Sequence, residues 1–441
     1  MTRVISGNFR DRIKIIFRSL QYRNYRLFFS GQSLSLIGTW MQRIAMPWLV
    51  YHMTGSVLLL GVVGFAGQIP TFLLAPVAGV LTDRRSRYHV LLVTQIISMI
   101  QASILAFLCL TGLIEIWHIV VLSIALGCIN AFDVPSRQSF VIDMVEKKED
   151  LGNAIALNSL MFNAARLIGP SIAGIMLAST GEGICFLLNA VSYIFVIVSL
   201  LMMRIKIKKP GKRKSEILQE LKDGLNYTFG FPPIKHILVL LSIVSLMGMS
   251  YSVLMPVYAK EILNGGSHAY GFLMGAAGFG ALLGAIFLAS RVSVIKIGRI
   301  VPAAAILFGS GLIILSFTKI LSLSLLLMVF IGLGMMLQTA ASNTILQTIT
   351  DDDKRGRVMS FYTMAVMGTA PFGSLLAGGL AKIFGTPVTI FVGGLVCIIG
   401  ALFFLRKLPE LKNLAQPVYV RKGIITEYAK AIQTASESEV Q

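Results

Sequence analysis

Along the chain, long apolar runs alternate with short polar stretches that are mostly basic. Reading for runs of about 20 mainly apolar residues, the length that crosses roughly 30 Å of hydrocarbon, picks out twelve. They cover 27–51, 57–82, 89–112, 116–134, 152–180, 183–204, 237–260, 270–290, 299–318, 322–348, 357–384 and 386–406. Backbone groups in lipid must bond within their own segment, so the runs predict helices. The ten-residue alternation of barrel strands is absent. The pattern predicts an all-α membrane protein with twelve transmembrane helices.

The longest polar stretch, RIKIKKPGKRKSEILQELKDGLNYTFGFPPIKH (204–236), divides six runs from six. The expected organisation is an N-terminal segment 1–26, a six-helix bundle over 27–204, a linker over 205–236, a second six-helix bundle over 237–406 and a tail over 407–441. Within the linker, Ile217, Leu218, Leu221 and Leu225 share one face of an amphipathic helix. The basic run before it, from Lys206 to Lys214, suits anionic headgroups. The halves also resemble each other. LGNAIALNSLMFNAARLIGPSIAGIMLASTG and RGRVMSFYTMAVMGTAPFGSLLAGGLAKIFG align without gaps, setting Gly152 with Gly356, Gly169 with Gly373, Gly174 with Gly378 and Gly181 with Gly385. MPWLVY (46–51) is echoed by MPVY (255–258). Such matches at equivalent places indicate an internal repeat, and paired bundles around a central pathway are a transporter architecture.

Composition agrees. The chain is 55% hydrophobic and 13% charged, against roughly 25% charged in soluble domains. A net charge of +19 would suggest nucleic acid in a soluble protein, but here the basic residues punctuate apolar runs. With the N-terminus in the cytoplasm, only Lys260, Lys319 and Lys382 fall in outer loops, and Arg43 and Arg166 lie within spans. The rest of the 39 Lys and Arg face the cytoplasm. By the positive-inside rule both termini are expected there, in a multi-pass membrane protein. Trp48 and Trp117 then fall near the outer interface, where aromatic rings anchor. No cleavage site follows a short apolar stretch, so the first run is expected to remain as a span. Cys109, Cys128, Cys185 and Cys397 sit inside apolar runs without C-x-x-C spacing and read as packing residues.

Charges inside the spans are the candidate chemistry. Arg43, in the outer half of the first run, and Arg166, near the middle of the fifth in ARLIGPSIAG, are costly in lipid and face a cavity or a partner. Either attracts an anionic substrate or fixes a carboxylate, and snorkelling or structural pairing is the alternative. All 20 Asp and Glu fall in loops, tails or span ends. Asp133 in NAFDVPSRQ is the best available proton carrier, unless it is simply paired with Arg137 or the loop arginines. Among the uncharged polar residues, Gln42 lies beside Arg43 as a pathway candidate, although an interhelical bond is the plainer role. Pro170 frees a carbonyl and bends its helix, while Gly169 and Gly174 permit close packing.

The absence of G-x-x-x-x-G-K-[ST] means no ATPase in this chain. GFGALLG (278–284) lies within a span with no strand before it, so helix packing explains its glycines. H-E-x-x-H and G-x-S-x-G are also missing. No cofactor and no metal site are expected. A membrane enzyme or a channel is disfavoured by the lack of clustered in-span His, Asp or Ser and by the two-bundle repeat.

GVLTDRRSRY (79–88) resembles the loop 2–3 signature of the major facilitator superfamily, commonly G-x-x-x-D-R-x-G-R-R. Gly79, Asp83, Arg84 and Arg87 match, while Ser86 and Tyr88 depart from it. GTWMQRIAMPWLVYHMTGS and the later P-x-x-x-x-x-P-x-A-G-V-L-x-D-R and GRV segments are similar to the branch holding enterobactin exporters and macrolide efflux pumps. The resemblance implies a major facilitator fold and a conformational latch. In it Asp83 docks at the start of the eleventh helix, near Arg357–Val358, where a helix N-terminus carries about half a positive charge. Arg84 or Arg87 would pair with Asp133 or neighbouring acids, and a mere topology signal is the alternative. Gly169-Pro170 resembles part of the span 5 motif of drug/proton antiporters. The resemblance further implies proton-driven export. The two in-span arginines favour an acidic or chelating metabolite such as a siderophore, and the alternative is a macrolide or multidrug efflux pump. The expected partners are the lipid bilayer, a small-molecule substrate and protons, with no nucleic acid.

Overall fold

The computed structural model describes residues 17–84, 86–205, 225–291, 297–351 and 354–423. The amphipathic linker helix expected around Ile217–Leu225 falls largely outside them. The described long helices are α1 Arg23–Thr54, α2 Val57–Arg84, α3 Arg87–Leu110, α4 Ile116–Met144, α5 Lys148–Ser179, α6 Glu182–Leu201, α7 Pro232–Ile262, α8 Ser267–Ala289, α9 Ile297–Phe317, α10 Leu321–Ile349, α11 Arg355–Phe384 and α12 Thr386–Arg421. Eleven described helices are long and apolar enough to cross a membrane. The other, α1, has 32 residues and a more polar composition, because Gln32, Gln42 and Arg43 lie along it.

The helices run up and down between two ends. At the end nearest the termini, Asn24 and Arg204 exchange hydrogen bonds, and the Tyr25 hydroxyl donates to the Ala154 carbonyl. Asp150 there accepts from Gln21, Tyr22 and Arg18. That carboxylate pushes the Tyr22 phenol above its ordinary value by accepting its hydrogen bond. Two helices outrun the expected spans. α4 continues beyond 134 to Met144, and α12 continues beyond 406 through Pro409 and Pro417 to Arg421, held by buried Leu411 and Ala415. A hydropathy reading stops where charges begin, whereas a helix stops where its packing does.

The core is mainly apolar, with polar side chains gathered on inward faces, and the exterior is apolar as well. Along α3, Leu91, Thr94, Gln95, Ser98, Gln101 and Leu105 are buried, whereas Val93, Ile97, Ile100, Ile104 and Phe107 are exposed. The exposed apolar face suits a lipid surround, where apolar side chains need no shelter.

Packing partners fall into two sets. α1 packs on α5 and α6, α3 on α4 and α6, and α2 on α4; in the second set α8 and α9 pack on α10, and α12 on α7 and α9. The sets meet chiefly through α5 against α8 and α2 against α11. A Cβ on Gly174 of α5 would stand 2.8 Å from Gly271 Cα, and one on Gly378 of α11 would stand 2.9 Å from Gly61 Cα. No real side chain tolerates that spacing, so the backbones cross in direct contact. Gly174 and Gly378, matched by the sequence repeat, therefore do the same job in each set.

α5 runs unbroken through Gly169-Pro170. The interruptions lie in the second set instead, as five-residue π-helical segments at Val244–Gly248 and Tyr258–Ile262 in α7 and Met364–Gly368 in α11. Ser245 Oγ donates to the Val366 carbonyl at 2.5 Å, tying the first and last of these together. Such bulges recur at functional sites.

Candidate functional site

Helical spacing puts Trp40 and Arg43 three residues apart on one face of α1. The Arg43 guanidinium carbon lies over the Trp40 ring at 4.9 Å from its centroid. Arg166 arrives from α5 over the same ring at 5.8 Å. Gly169, one turn beyond Arg166, lets α5 approach this closely, since a Cβ there would stand 2.5 Å from Trp40 Cβ. Phe162, one turn before, meets the indole edge-on at 5.7 Å. Two residues separated widely in sequence thus share one aromatic platform.

Arg43 is exposed although it lies well inside α1, and Arg137 of α4 and Arg166 are both within its electrostatic reach. It therefore faces the centre of the helix set and not the lipid. Arg166 also meets Met335 of α10, Nη2 to Sδ at 3.6 Å, a weak acceptor, and Tyr251 of α7 is within its electrostatic reach. Among the described residues neither guanidinium has an acidic partner. The centroid distances cap the separation of their carbons at about 11 Å, where two unit charges repel by about 1.5 kcal/mol at an effective dielectric of about 20. Cation–π attraction returns roughly 0.5–2 kcal/mol each. The arrangement sets two cations on one indole without acidic partners among the described residues.

Asp133 of α4 lies beside it, buried at 6% exposure. Its Oδ1 accepts from Thr94 Oγ1 at 2.9 Å and Gln95 Nε2 at 2.6 Å, and its Oδ2 faces Arg137 Nε at 3.5 Å. Among the described residues the carboxylate is tied to its own helix and to α3, and Arg87 is not one of its partners. Arg87 pairs instead with Asp143 at 3.3 Å, an acid near the end of α4, and donates to the Ser139 carbonyl. Gln42 is turned away from Arg43. Its Nε2 donates to Gln101 Oε1 at 3.1 Å and its Oε1 accepts from Asn189 Nδ2 at 2.7 Å, forming a polar ladder across α3, α1 and α6. Gly79, Asp83 and Arg84 close α2, and their side-chain surroundings lie outside the described residues.

α4 and α10 are each 29 residues long, and in register they set Asp133 with Gln338 and Arg137 with Ser342. Where the first set holds a buried ion pair, the second holds a buried amide and hydroxyl. Among the described residues, both Gln338 side-chain polar atoms and the Ser342 hydroxyl lack hydrogen-bond partners.

At the end away from the termini, Trp48 stacks on Tyr270 of α8 at 6.0 Å and 17°. This corrects the expectation of a lipid anchor, because the ring joins the two helix sets. Trp117 is 58% exposed and donates to Glu115. One residue from His52, which meets Glu182 at 3.0 Å, the Tyr51 hydroxyl donates to the Glu261 carboxylate of α7. Lys260 sits over the Tyr51 ring at 5.4 Å. Glu261 read only as a span-end acid in the sequence, since nothing local predicts its partner. Trp48, His52 and Lys260 also line a cavity of about 440 Å³.

Long apolar helices in two packed sets, joined through paired glycine crossings, have the architecture of a membrane transporter. The chain belongs to the transmembrane secretion effector family of the major facilitator superfamily, which matches residues 16–422, and it is a transporter and not an enzyme. It is 27% identical over 390 residues to a staphyloferrin A transporter of Staphylococcus aureus, covering 88% of this chain and 97% of that protein. It is 24% identical over 385 residues to the multidrug efflux pump Tap of Mycolicibacterium fortuitum, covering 85% and 93%. Among solved structures, a POT peptide transporter shares the fold at a TM-score of 0.70 and 12% identity, covering 89% of this chain and 95% of that one.

Proposed function

We propose that the protein is a secondary active exporter of a bacterial cytoplasmic membrane. It moves a small, amphipathic, acidic metabolite of the siderophore type outward by alternating access, coupled to protons. In this reading α1 to α12 all cross the bilayer as two six-helix bundles, 27–204 and 237–406. The segment 1–26, the linker 205–236 and the tail 407–441 lie in the cytoplasm, as the distribution of Lys and Arg supports. The observation that carries the substrate class is Arg43 and Arg166 over one indole without an acidic partner among the described residues. Charges kept in a membrane interior mark a pathway, and an anionic substrate supplies the missing counter-charge. Similarity to a staphyloferrin A transporter points the same way.

The two bundles rock about the crossings Gly174–Gly271 and Gly61–Gly378. Among the described residues, these crossings lie toward the end away from the termini, which supports a cycle that opens and closes the cytoplasmic side. Closing that side would bring Asp83 to the start of α11 near Arg357–Val358, with Gly79, Arg84 and Arg87 completing the latch. Asp133, already linked to Arg137, is the proposed proton-responsive acid. Pro170, between Gly169 and Gly174, weakens α5 where it must flex, because the helix lacks one hydrogen bond there. A macrolide or multidrug efflux pump is the second reading, favoured by the similarity to Tap.

The test is iron-chelating activity secreted by iron-starved cells with and without the gene. Loss of secreted chelator, restored by wild type but not by Arg166→Ala, is the expected result. Unchanged secretion in the deletion overturns the substrate assignment and directs attention to drug accumulation.

A further inference from the structure

We infer that Trp40 is a specificity-determining, positioning residue that makes Arg43 and Arg166 a two-point clamp, selecting ligands with at least two carboxylates over ligands with one. The inference deepens the anionic-substrate reading above and rests on it.

Two like charges on separate helices drift apart unless something holds them. Here the thing they share is the Trp40 ring, with guanidinium carbons 4.9 and 5.8 Å from its centroid. Trp40 is itself fixed from two sides, by Phe162 at 5.7 Å and by the α5 backbone at Gly169. The guanidinium forks have few competing contacts. Among the described residues Arg43 has no carboxylate, and Arg166 has Met335 Sδ at 3.6 Å. The nearby acid, Asp133, is occupied by Thr94, Gln95 and Arg137, so it does not neutralise the pair. A monocarboxylate satisfies one fork and leaves the other uncompensated. A short-chain dicarboxylate or tricarboxylate engages both, each through a charge-assisted and geometrically specific bond. Selectivity by valence then follows from the spacing that the indole sets, not from the size of the cavity.

The experiment uses the full-length transporter in nanodiscs and compares glutarate with valerate, two five-carbon acids that differ by one carboxylate. Binding is read by calorimetry at fixed ionic strength. Wild type is expected to prefer glutarate by about tenfold or more, the scale of one charged hydrogen bond. Trp40→Leu is expected to bring the ratio near one. Trp40→Phe, which keeps a ring, is expected to fall between. Arg43→Gln and Arg166→Gln each reduce glutarate to the level of valerate. A Trp40→Leu protein that folds, as judged by its melting transition, and keeps the wild-type ratio overturns the clamp alone. A wild type that binds both acids equally overturns the clamp alone, and one that binds neither overturns the anionic-substrate reading and the clamp with it.

Discussion

Gly174 of α5 and Gly271 of α8 meet backbone to backbone, and an added Cβ on Gly271 would stand 2.5 Å from Gly174 Cα. Gly61 and Gly378 repeat the contact between α2 and α11. Gly174→Leu or Gly378→Leu should each lower the melting temperature, with overpacking costing about 1–3 kcal/mol. Alanine at either site should have a smaller effect in the same direction. Because the crossings are equivalent, the two leucine variants should lose transport to a similar degree. A neutral Gly174→Leu beside a damaging Gly378→Leu would show that the crossings are not equivalent.

Tyr51 donates to Glu261 across the helix sets at the end away from the termini. Removing the bond in Tyr51→Phe or Glu261→Gln should favour opening of that end. A partly exposed pair of this kind contributes about 1 kcal/mol, or roughly fivefold in population. Labelling of Asn264→Cys by a membrane-impermeant thiol reagent measures the shift, and faster labelling in both variants is expected. Equal labelling rates would mean that the bond does not gate.

The Asp133–Arg137 pair is buried, with side-chain exposures of 9% and 16%. Asp133→Asn should destabilise by several kcal/mol, because Arg137 is left buried without its counter-ion among other cations. Asp133→Asn combined with Arg137→Gln should recover much of that loss, since neither charge then needs a partner. Thermal unfolding of the three variants decides it. A double variant as unstable as the single would mean that the Thr94 and Gln95 bonds dominate.

Gln338 is fully buried with no partner for either side-chain polar atom. An unpartnered buried amide costs about 1–3 kcal/mol. Gln338→Leu should therefore leave the melting temperature unchanged or raise it. Gln42→Leu should lower it, because it breaks the ladder through Gln101 and Asn189. If Gln338→Leu were stable yet inactive, the amide would have its partner in another state of the transport cycle.

Much of the architecture was legible in the sequence because lipid imposes a simple rule. Every backbone group bonds within its own helix, so apolar length alone marks the helices, and the predicted runs differ from the observed ones mainly where α4 and α12 continue into polar sequence. The repeat named Gly174 and Gly378 as equivalents, and in-span charge singled out Arg43, Arg166 and Asp133. What the sequence could not decide was who meets whom. Trp40 has no signal of its own, since its role exists only because Gly169 lets α5 close on it. Gln42 and Arg43 are neighbours in sequence, yet a helix turns them about 100° apart, one into a packed ladder and the other onto the Trp40 ring. Trp48 and Glu261 likewise take their partners from the other helix set. Local chemistry fixes helices and the cost of each charge. The compensation of that cost depends on contacts between distant segments, and only the tertiary structure supplies them.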